Sequence, residues 1–268
     1  MSMIAVNGTE LHHERRGRGE PLLLIQGMTG HSLHWGEPFL RALERDFELV
    51  LYDHRGVGRS AAHDAPFSIA ELAGDAVALL DALAIERAHV LGISMGGMVA
   101  QELALAHPDR VLTLTLGCTY SGGPGARFTD DAVIQALAAA IMSGDADRKI
   151  RTGWEYNVSA AHASGEGNFE PFAQSAASYP VALPMIVAQV QAIMAHDTSE
   201  RLSEIRAPTL VVHGTADQML VAANGELVAS LIPGARLELL DGIGHLFFWE
   251  QPERVAQLVA EHAAAARS

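Results

Sequence analysis

The sequence predicts an α/β fold in which a mostly parallel, eight-stranded sheet carries helices on both faces. Two observations predict this architecture. Short apolar, β-branched segments alternate with amphipathic helical segments along most of the 268 residues, a pattern typical of a parallel sheet with crossover helices. The alternation stops once, between residues 121 and 206, where the sequence becomes alanine-rich and helical. We therefore expect a core of residues 1–121 and 207–268, with a helical insertion of residues 122–206 after the sixth strand.

The elements follow from local patterns taken in chain order. Two antiparallel-type strands at the N-terminus precede the apolar runs of the parallel strands, and helices of 3.6-residue period separate the runs. Strands are expected at residues 3–6, 10–15, 21–25, 47–52, 88–91, 111–118, 207–213 and 235–240, and core helices at residues 69–83 and 95–107.

The pentapeptide GISMG at residues 92–96 lies where the fifth strand gives way to a helix. A Gly-x-Ser-x-Gly turn of this kind holds a serine in a strained backbone conformation, with its oxygen clear of both elements. Glycines two residues on either side let the chain pass closely. The N-terminus of the following helix favours negative charge at the place where an oxyanion forms. Ser94 is therefore the predicted nucleophile.

An activated serine needs a base, and the base needs an acid that orients it. Asp217 follows the buried seventh strand, and His245 follows the eighth. Catalytic groups of open parallel sheets gather at the carboxyl ends of the strands. The order Ser94, Asp217, His245 therefore predicts a catalytic triad.

The loop after the third strand, QGMTG at residues 26–30, supplies the second half of a predicted oxyanion hole. Two backbone N–H groups are expected to bind the oxyanion, one from Met95 and one from Met28. Nearby glycines allow the Met28 amide to turn inward.

The chain resembles the α/β-hydrolase family along nearly its whole length. Besides the serine turn, the resemblance rests on YDHRGVGRS at residues 52–60, SMGGMVAQE at residues 94–102 and the pair Gly244-His245. These segments are most similar to the branch of 3-oxoadipate enol-lactonases and aclacinomycin-type methylesterases. The resemblance implies the family's helical cap and serine chemistry, and Ser94 argues against the dehalogenase and epoxide-hydrolase branches, which use aspartate there. Gln26 departs from the histidine that many members carry.

The overall charge limits the kinds of molecule that the protein is expected to bind. The formal net charge of −14 and the pI of about 5.3 argue against binding to nucleic acid or to an anionic membrane. The single cysteine, Cys118, excludes an internal disulfide. We find no signal peptide and no apolar run of about 18 residues, so we expect a cytoplasmic protein. Oligomeric state is open, and a homo-oligomer is compatible with the sequence.

Aromatic and apolar residues near the active centre are candidate substrate contacts, with core packing as the alternative for each. Three cap arginines are candidate cations for a substrate carboxylate. The histidines lack metal-ligand spacing, and there is no phosphate-binding loop, so neither metal nor cofactor is expected. The candidate contacts are Trp35, Trp154, Tyr156, Leu246 and Phe247, and the candidate cations are Arg127, Arg148 and Arg151.

These patterns predict a cofactor-independent serine hydrolase that acts on a small, largely apolar carboxylic ester or lactone. Relatives with the same triad also hydrolyse carbon–carbon bonds or carry out perhydrolysis, and both reactions remain alternatives. A non-catalytic ligand receptor is a further alternative, which the complete set of triad residues disfavours.

Overall fold

The computed structural model describes residues 2–63 and 65–267, and within them eight strands form one sheet. In chain order they are β1 (Ser2–Val6), β2 (Thr9–Gly17), β3 (Glu20–Ile25), β4 (Phe47–Tyr52), β5 (Ala88–Ile93), β6 (Val111–Gly117), β7 (Thr209–Gly214) and β8 (Arg236–Leu240). Their order in the sheet is β1-β2-β4-β3-β5-β6-β7-β8. Among the described strands, only the β1–β2 and β2–β4 pairs are antiparallel. The predicted mostly parallel, eight-stranded sheet is confirmed. Met1 and Ser268, the ends of the predicted core, lie outside the described residues.

Helices connect the strands and cover the sheet. Within the described residues they are α1 (Glu37–Leu43), α2 (Ile69–Ala82), α3 (Met95–Ala106), α4 (Asp131–Met142), α5 (Ala146–Asn157), α6 (Ala160–Ala163), α7 (Phe169–Ser178), α8 (Leu183–Met194), α9 (Ala222–Leu231), α10 (Phe247–Glu250) and α11 (Pro252–Ala265). A capping box fixes the start of α2, because the Ser68 hydroxyl accepts from the Glu71 N–H and the Glu71 carboxylate accepts from the Ser68 N–H.

Strand β3 shows why both faces of the sheet are buried. Leu23 and Ile25 belong to one apolar cluster together with residues of α2 and α3. Leu22 and Leu24 belong to a second cluster together with residues of α1 and α11. Because successive strand residues point to opposite faces, an unbroken apolar run buries both sides. The helices therefore form two layers around a central sheet whose carboxyl edge carries the candidate site.

Five helices, α4 to α8, lie between β6 and β7, as the loss of strand pattern predicts. Trp154, Val158 and Phe172 form a small apolar cluster of their own among these helices. We call residues 122–206 the cap, and their status as a separate domain remains a prediction. The end of α5 packs on the loop after β8, where a side chain at Gly244 would overlap with the backbone of Val158.

No single helix among the described residues is long and apolar enough to cross a membrane. Only the pair α7 and α8, taken together, has the length and composition of a span, and it is bent by 104°.

Candidate active site

Ser94 occupies the turn between β5 and α3 in a conformation that few side-chain-bearing residues adopt. Its φ is 53° and its ψ is −123°, so the backbone is strained. Hydrogen bonds hold it there: the Ser94 N–H donates to the Gly117 carbonyl at 2.9 Å, and the Thr119 hydroxyl donates to the Ser94 carbonyl at 2.8 Å. Hydrogen bonds to its backbone therefore hold Ser94 in this strained conformation.

The two glycines that flank Ser94 are required by close backbone packing. A side chain at Gly92 would overlap with the Gly96 carbonyl oxygen, and one at Gly96 would overlap with the Ile25 carbonyl oxygen. A side chain at Gly27 would come within 3.1 Å of the Ser94 Cβ. The GISMG pattern therefore reflects backbone contacts between β3, β5 and the start of α3.

Asp217 and His245 form a buried hydrogen-bonded pair. Asp217 follows β7 and His245 follows β8, and His245 Nδ1 lies 2.7 Å from Asp217 Oδ2. Because a carboxylate only accepts, the imidazole carries its proton on Nδ1, which leaves Nε2 with a lone pair. The N–H groups of Met219 and Leu220 donate to the other carboxylate oxygen, Oδ1, at 2.8 and 2.9 Å. Both Asp217 oxygens are therefore fixed.

His213 is a second histidine on this carboxylate, and our sequence analysis missed it. Its ring lies at the end of β7, fully buried, with Nε2 at 2.6 Å from the Leu220 carbonyl oxygen and 3.1 Å from Asp217 Oδ2. Both partners accept, so Nε2 carries the proton. The available signal was a histidine in an otherwise apolar strand, four residues before the predicted acid.

The environment of Asp217 keeps its carboxyl ionised. Burial by itself raises the pKa, but the imidazoles of His245 and His213 and their hydrogen bonds outweigh burial and lower the pKa to about 2. The group is consequently an anion at any pH at which the protein would be assayed.

The loop after β3 is held beside Ser94 by bonds that leave two amides available. His54 Nε2 donates to the Gln26 carbonyl at 3.0 Å, and the Gln26 side-chain oxygen accepts from the Gly27 N–H at 2.9 Å. In the described part of the chain, the N–H groups of Met28 and Met95 donate to no protein acceptor. Their predicted role as oxyanion donors is compatible with this arrangement and remains a prediction.

The aspartate of the YDHRGVGRS turn holds the segment that directly follows this loop. Asp53 accepts from the Ser32 N–H at 2.7 Å and from the Arg59 N–H at 2.9 Å. Arg55 forms a bidentate, buried pair with Asp75 of α2. This motif therefore positions the loop rather than entering the cavity.

A cavity of about 410 Å³ contains Ser94 and His245 in its wall. The cap contributes much of the rest of the wall, mostly as apolar side chains. The cap residues in the wall include Leu137, Ile141, Ile150, Phe172, Val181 and Ile186.

The predicted substrate contacts divide into two groups. Leu246 lies in the cavity wall. Trp35, Trp154 and Phe247 are fully buried in apolar clusters and are not part of the described cavity wall. Tyr156 is half-buried and is likewise absent from the described wall. The described wall does not include these four positions, and their role as substrate contacts remains a prediction.

The role of the three candidate cations also remains a prediction. Arg127, Arg148 and Arg151 are not part of the described wall, and the Arg151 guanidinium lies 4.0 Å from the centre of the Phe169 ring. Lys149, half-buried on α5, lines the cavity instead.

Trp154 is expected to contribute to stability rather than to selectivity. Its ring packs on Phe172 at 5.0 Å between centroids and on His162 at 5.3 Å. Trp154→Ala should lower the free energy of unfolding by about 3–5 kcal/mol, as for other buried aromatic residues. Trp154→Phe should cost much less, because the indole Nε1 has no hydrogen-bond partner among the residues that the structure describes. Urea unfolding measures both. Unchanged stability of Trp154→Ala would contradict this account.

The comparisons with known proteins agree with the geometry. The model of the alpha/beta hydrolase fold family matches residues 20–252. The chain belongs to the α/β-hydrolase family. A provisional carbamate hydrolase, RutD of Azorhizobium caulinodans, is 34% identical over 245 residues, which are 91% of each chain.

Solved structures of the family superpose on nearly the whole chain. A hydrolase from Pseudomonas aeruginosa PA01 is 31% identical with a TM-score of 0.84, and the match covers 97% of both chains. An enol-lactonase from Burkholderia xenovorans LB400 is 27% identical with a TM-score of 0.85, over 98% of this chain and 100% of that one. The family assignment makes hydrolysis the general activity.

Proposed function

We propose that this α/β hydrolase is a carboxylic ester hydrolase that cleaves a small, largely apolar ester or lactone through Ser94, His245 and Asp217. The observation that carries the proposal is the strained Ser94 turn, which lines the same mostly apolar cavity as the histidine of a buried Asp217–His245 pair. A strained serine and an oriented histidine are the two parts that acyl transfer requires.

The proposed reaction has two half-reactions. Ser94 Oγ attacks the carbonyl carbon while His245 Nε2 takes the hydroxyl proton, and the N–H groups of Met28 and Met95 bind the oxyanion. His245 then protonates the leaving alcohol, and an acyl-enzyme remains. In the second half-reaction His245 activates a water molecule, which releases the acid and restores Ser94. Asp217 keeps the Nδ1 proton of His245 in place and stabilises the imidazolium.

Carbamate hydrolysis is a second candidate, favoured by the name of the relatives from Azorhizobium and other bacteria. The same residues would attack the carbonyl carbon of a carbamate and break its single bond to the leaving nitrogen or oxygen. The cavity favours the ester, because about 410 Å³ of mostly apolar space exceeds what a small polar carbamate would fill. Carbon–carbon hydrolysis and perhydrolysis remain alternatives with the same triad, and a non-catalytic receptor is the non-enzymatic alternative.

A substrate panel tests the proposed reaction. Purified protein is assayed against p-nitrophenyl esters of two to twelve acyl carbons, five- and six-membered lactones, carbamates and vinylogous diketones. We expect the largest kcat/KM among the esters or lactones. Faster cleavage of a carbamate or a diketone than of every ester and lactone would contradict the proposed substrate class.

The pH dependence of kcat/KM should identify an imidazole base. Asp217, with its pKa lowered to about 2, stabilises the fold as an anion above its unfolded pKa near 4, and this contribution disappears only as the pH falls toward 2. Loss of activity at pH 5 therefore cannot come from Asp217. We expect kcat/KM to fall about tenfold per pH unit on the acid side of the profile, because an imidazole that already carries both protons cannot accept the Ser94 proton.

Circular dichroism at pH 5 is the control and should show an intact fold. A kcat/KM profile that stays flat from pH 5 to 9, with chemistry limiting the rate, would argue against a histidine base.

A further inference from the structure

His34 lies in the wall of the same cavity as Ser94 and His245, although the proposed mechanism does not use it. It belongs to the short 3₁₀ turn Ser32–Trp35, just beyond the loop that carries Met28. Its half-buried ring packs on the His31 ring at 4.0 Å and on the Phe172 ring of the cap at 5.9 Å between centroids. Core and cap therefore fix the position of this imidazole.

The hydrogen bonding of His34 determines which nitrogen carries the proton. The backbone N–H of His31 donates to His34 Nδ1 at 3.1 Å, so in the neutral ring the proton resides on Nε2. The described part of the chain offers Nε2 no acceptor. The Nε2 atom is not fully buried, so a bound ligand can reach it. Because His34 is part of the cavity wall, we infer that the accessible part of its ring, with Nε2, faces the cavity.

His34 is an uncharged donor. Burial and the neighbouring His31 ring lower the pKa of His34 to about 3, so the ring stays neutral at ordinary pH. A neutral N–H beside largely apolar side chains attracts an oxygen acceptor without requiring that the ligand carry a charge.

We propose that His34 Nε2 donates a hydrogen bond to a second carbonyl oxygen in the acyl part of the substrate. The preferred substrate is then an ester or lactone whose acyl chain carries a keto or amide oxygen besides the scissile carbonyl. The acyl part is assigned to this contact because it stays bonded to Ser94 through both half-reactions, within the space that His34 lines. This inference rests on the proposed ester hydrolysis and specifies its substrate class.

Discrimination follows from the cost of an unpaired polar group. A plain alkanoyl chain would displace water from His34 Nε2 and give no acceptor in return, whereas an oxo chain would pair with it. One neutral hydrogen bond corresponds to a preference of about tenfold in kcat/KM.

The test uses p-nitrophenyl esters of octanoic acid and of its 3-oxo, 5-oxo and 7-oxo derivatives. Each kcat/KM is divided by the rate constant for hydroxide hydrolysis of the same ester, which removes differences in intrinsic reactivity. The wild type should prefer at least one oxo ester over octanoate by about tenfold. His34→Phe keeps an aromatic ring and should reduce this preference to about one. His34→Gln keeps a neutral donor and should retain part of the preference. His107→Phe, at the end of α3, is the matched control and should keep the full ratio.

The outcomes are distinct. Octanoate hydrolysis without preference for any oxo ester in the wild type would overturn this inference and leave the proposed function standing. A preference that survives in correctly folded His34→Phe, as judged by thermal melting, would also overturn it. Failure of the wild type to hydrolyse any of these four esters, or any ester or lactone of the substrate panel, would overturn the proposed function and this inference together.

Discussion

Replacing Ser94 with alanine is expected to lower kcat by about 10⁶-fold, which is the loss seen when the nucleophile of a serine–histidine–aspartate triad is removed. Alanine lacks the oxygen that attacks the carbonyl, and no neighbouring hydroxyl is placed in the same turn. The fold should persist, because the hydrogen bonds that hold the turn use the Ser94 backbone and not its hydroxyl.

The measurement is kcat on the best ester of the panel, with melting temperature as the check on folding. Ser230→Ala, on the exposed side of α9, is the matched control and should keep full activity. Activity of Ser94→Ala within about tenfold of the wild type would remove Ser94 from the mechanism.

The second large effect is expected for Asp217→Asn, with a loss of about 10⁴-fold in kcat. The N–H groups of Met219 and Leu220 donate to one carboxylate oxygen, so the asparagine must keep its oxygen there. Its NH₂ group then replaces the oxygen that faces His245 and His213. His245 Nδ1 becomes an acceptor, its proton moves to Nε2, and the lone pair that should take the Ser94 proton is lost.

Asp241→Asn tests whether any carboxylate at this edge of the sheet gives the same effect. Asp241 follows β8, is exposed and accepts only from Thr215 among the described side chains. We expect full activity for this control. Equal losses in the two variants would show that the effect is not specific to the Asp217–His245 pair.

The parallel sheet was predictable because its strands are continuous apolar runs. The bounds of β4 match the prediction at both ends, whereas β5 extends to Ile93, two residues beyond it. The serine turn was predictable because Gly92 and Gly96 leave room for backbone atoms that a side chain would exclude. Local sequence therefore contained most of the information that builds the core and the position of Ser94.

The cavity wall was not predictable, because an aromatic side chain in a helix can face either the cavity or the interior of the cap. On α5 the residues Ala146, Ile150, Gly153 and Asn157 share the face that lines the cavity, whereas Trp154 points to the neighbouring helix. Helical spacing defines these faces, but only tertiary packing decides which one meets the substrate.

His213 and His34 were missed for a related reason. His213 contacts the Asp217 oxygen that also faces His245, and His34 lines the cavity beside Ser94. The sequence marks neither contact. A buried histidine in a strand resembles a core residue until its partner is known.

The most direct test of the central claim, that Ser94 is an activated nucleophile, is covalent labelling with a fluorophosphonate. Wild-type protein and Ser94→Ala are incubated with the reagent, and the labelled peptides are identified by mass spectrometry. We expect one label per chain, located on the peptide that contains Ser94, and no label on the variant. An unlabelled wild type, or the same labelling of wild type and variant at another residue, would contradict the account.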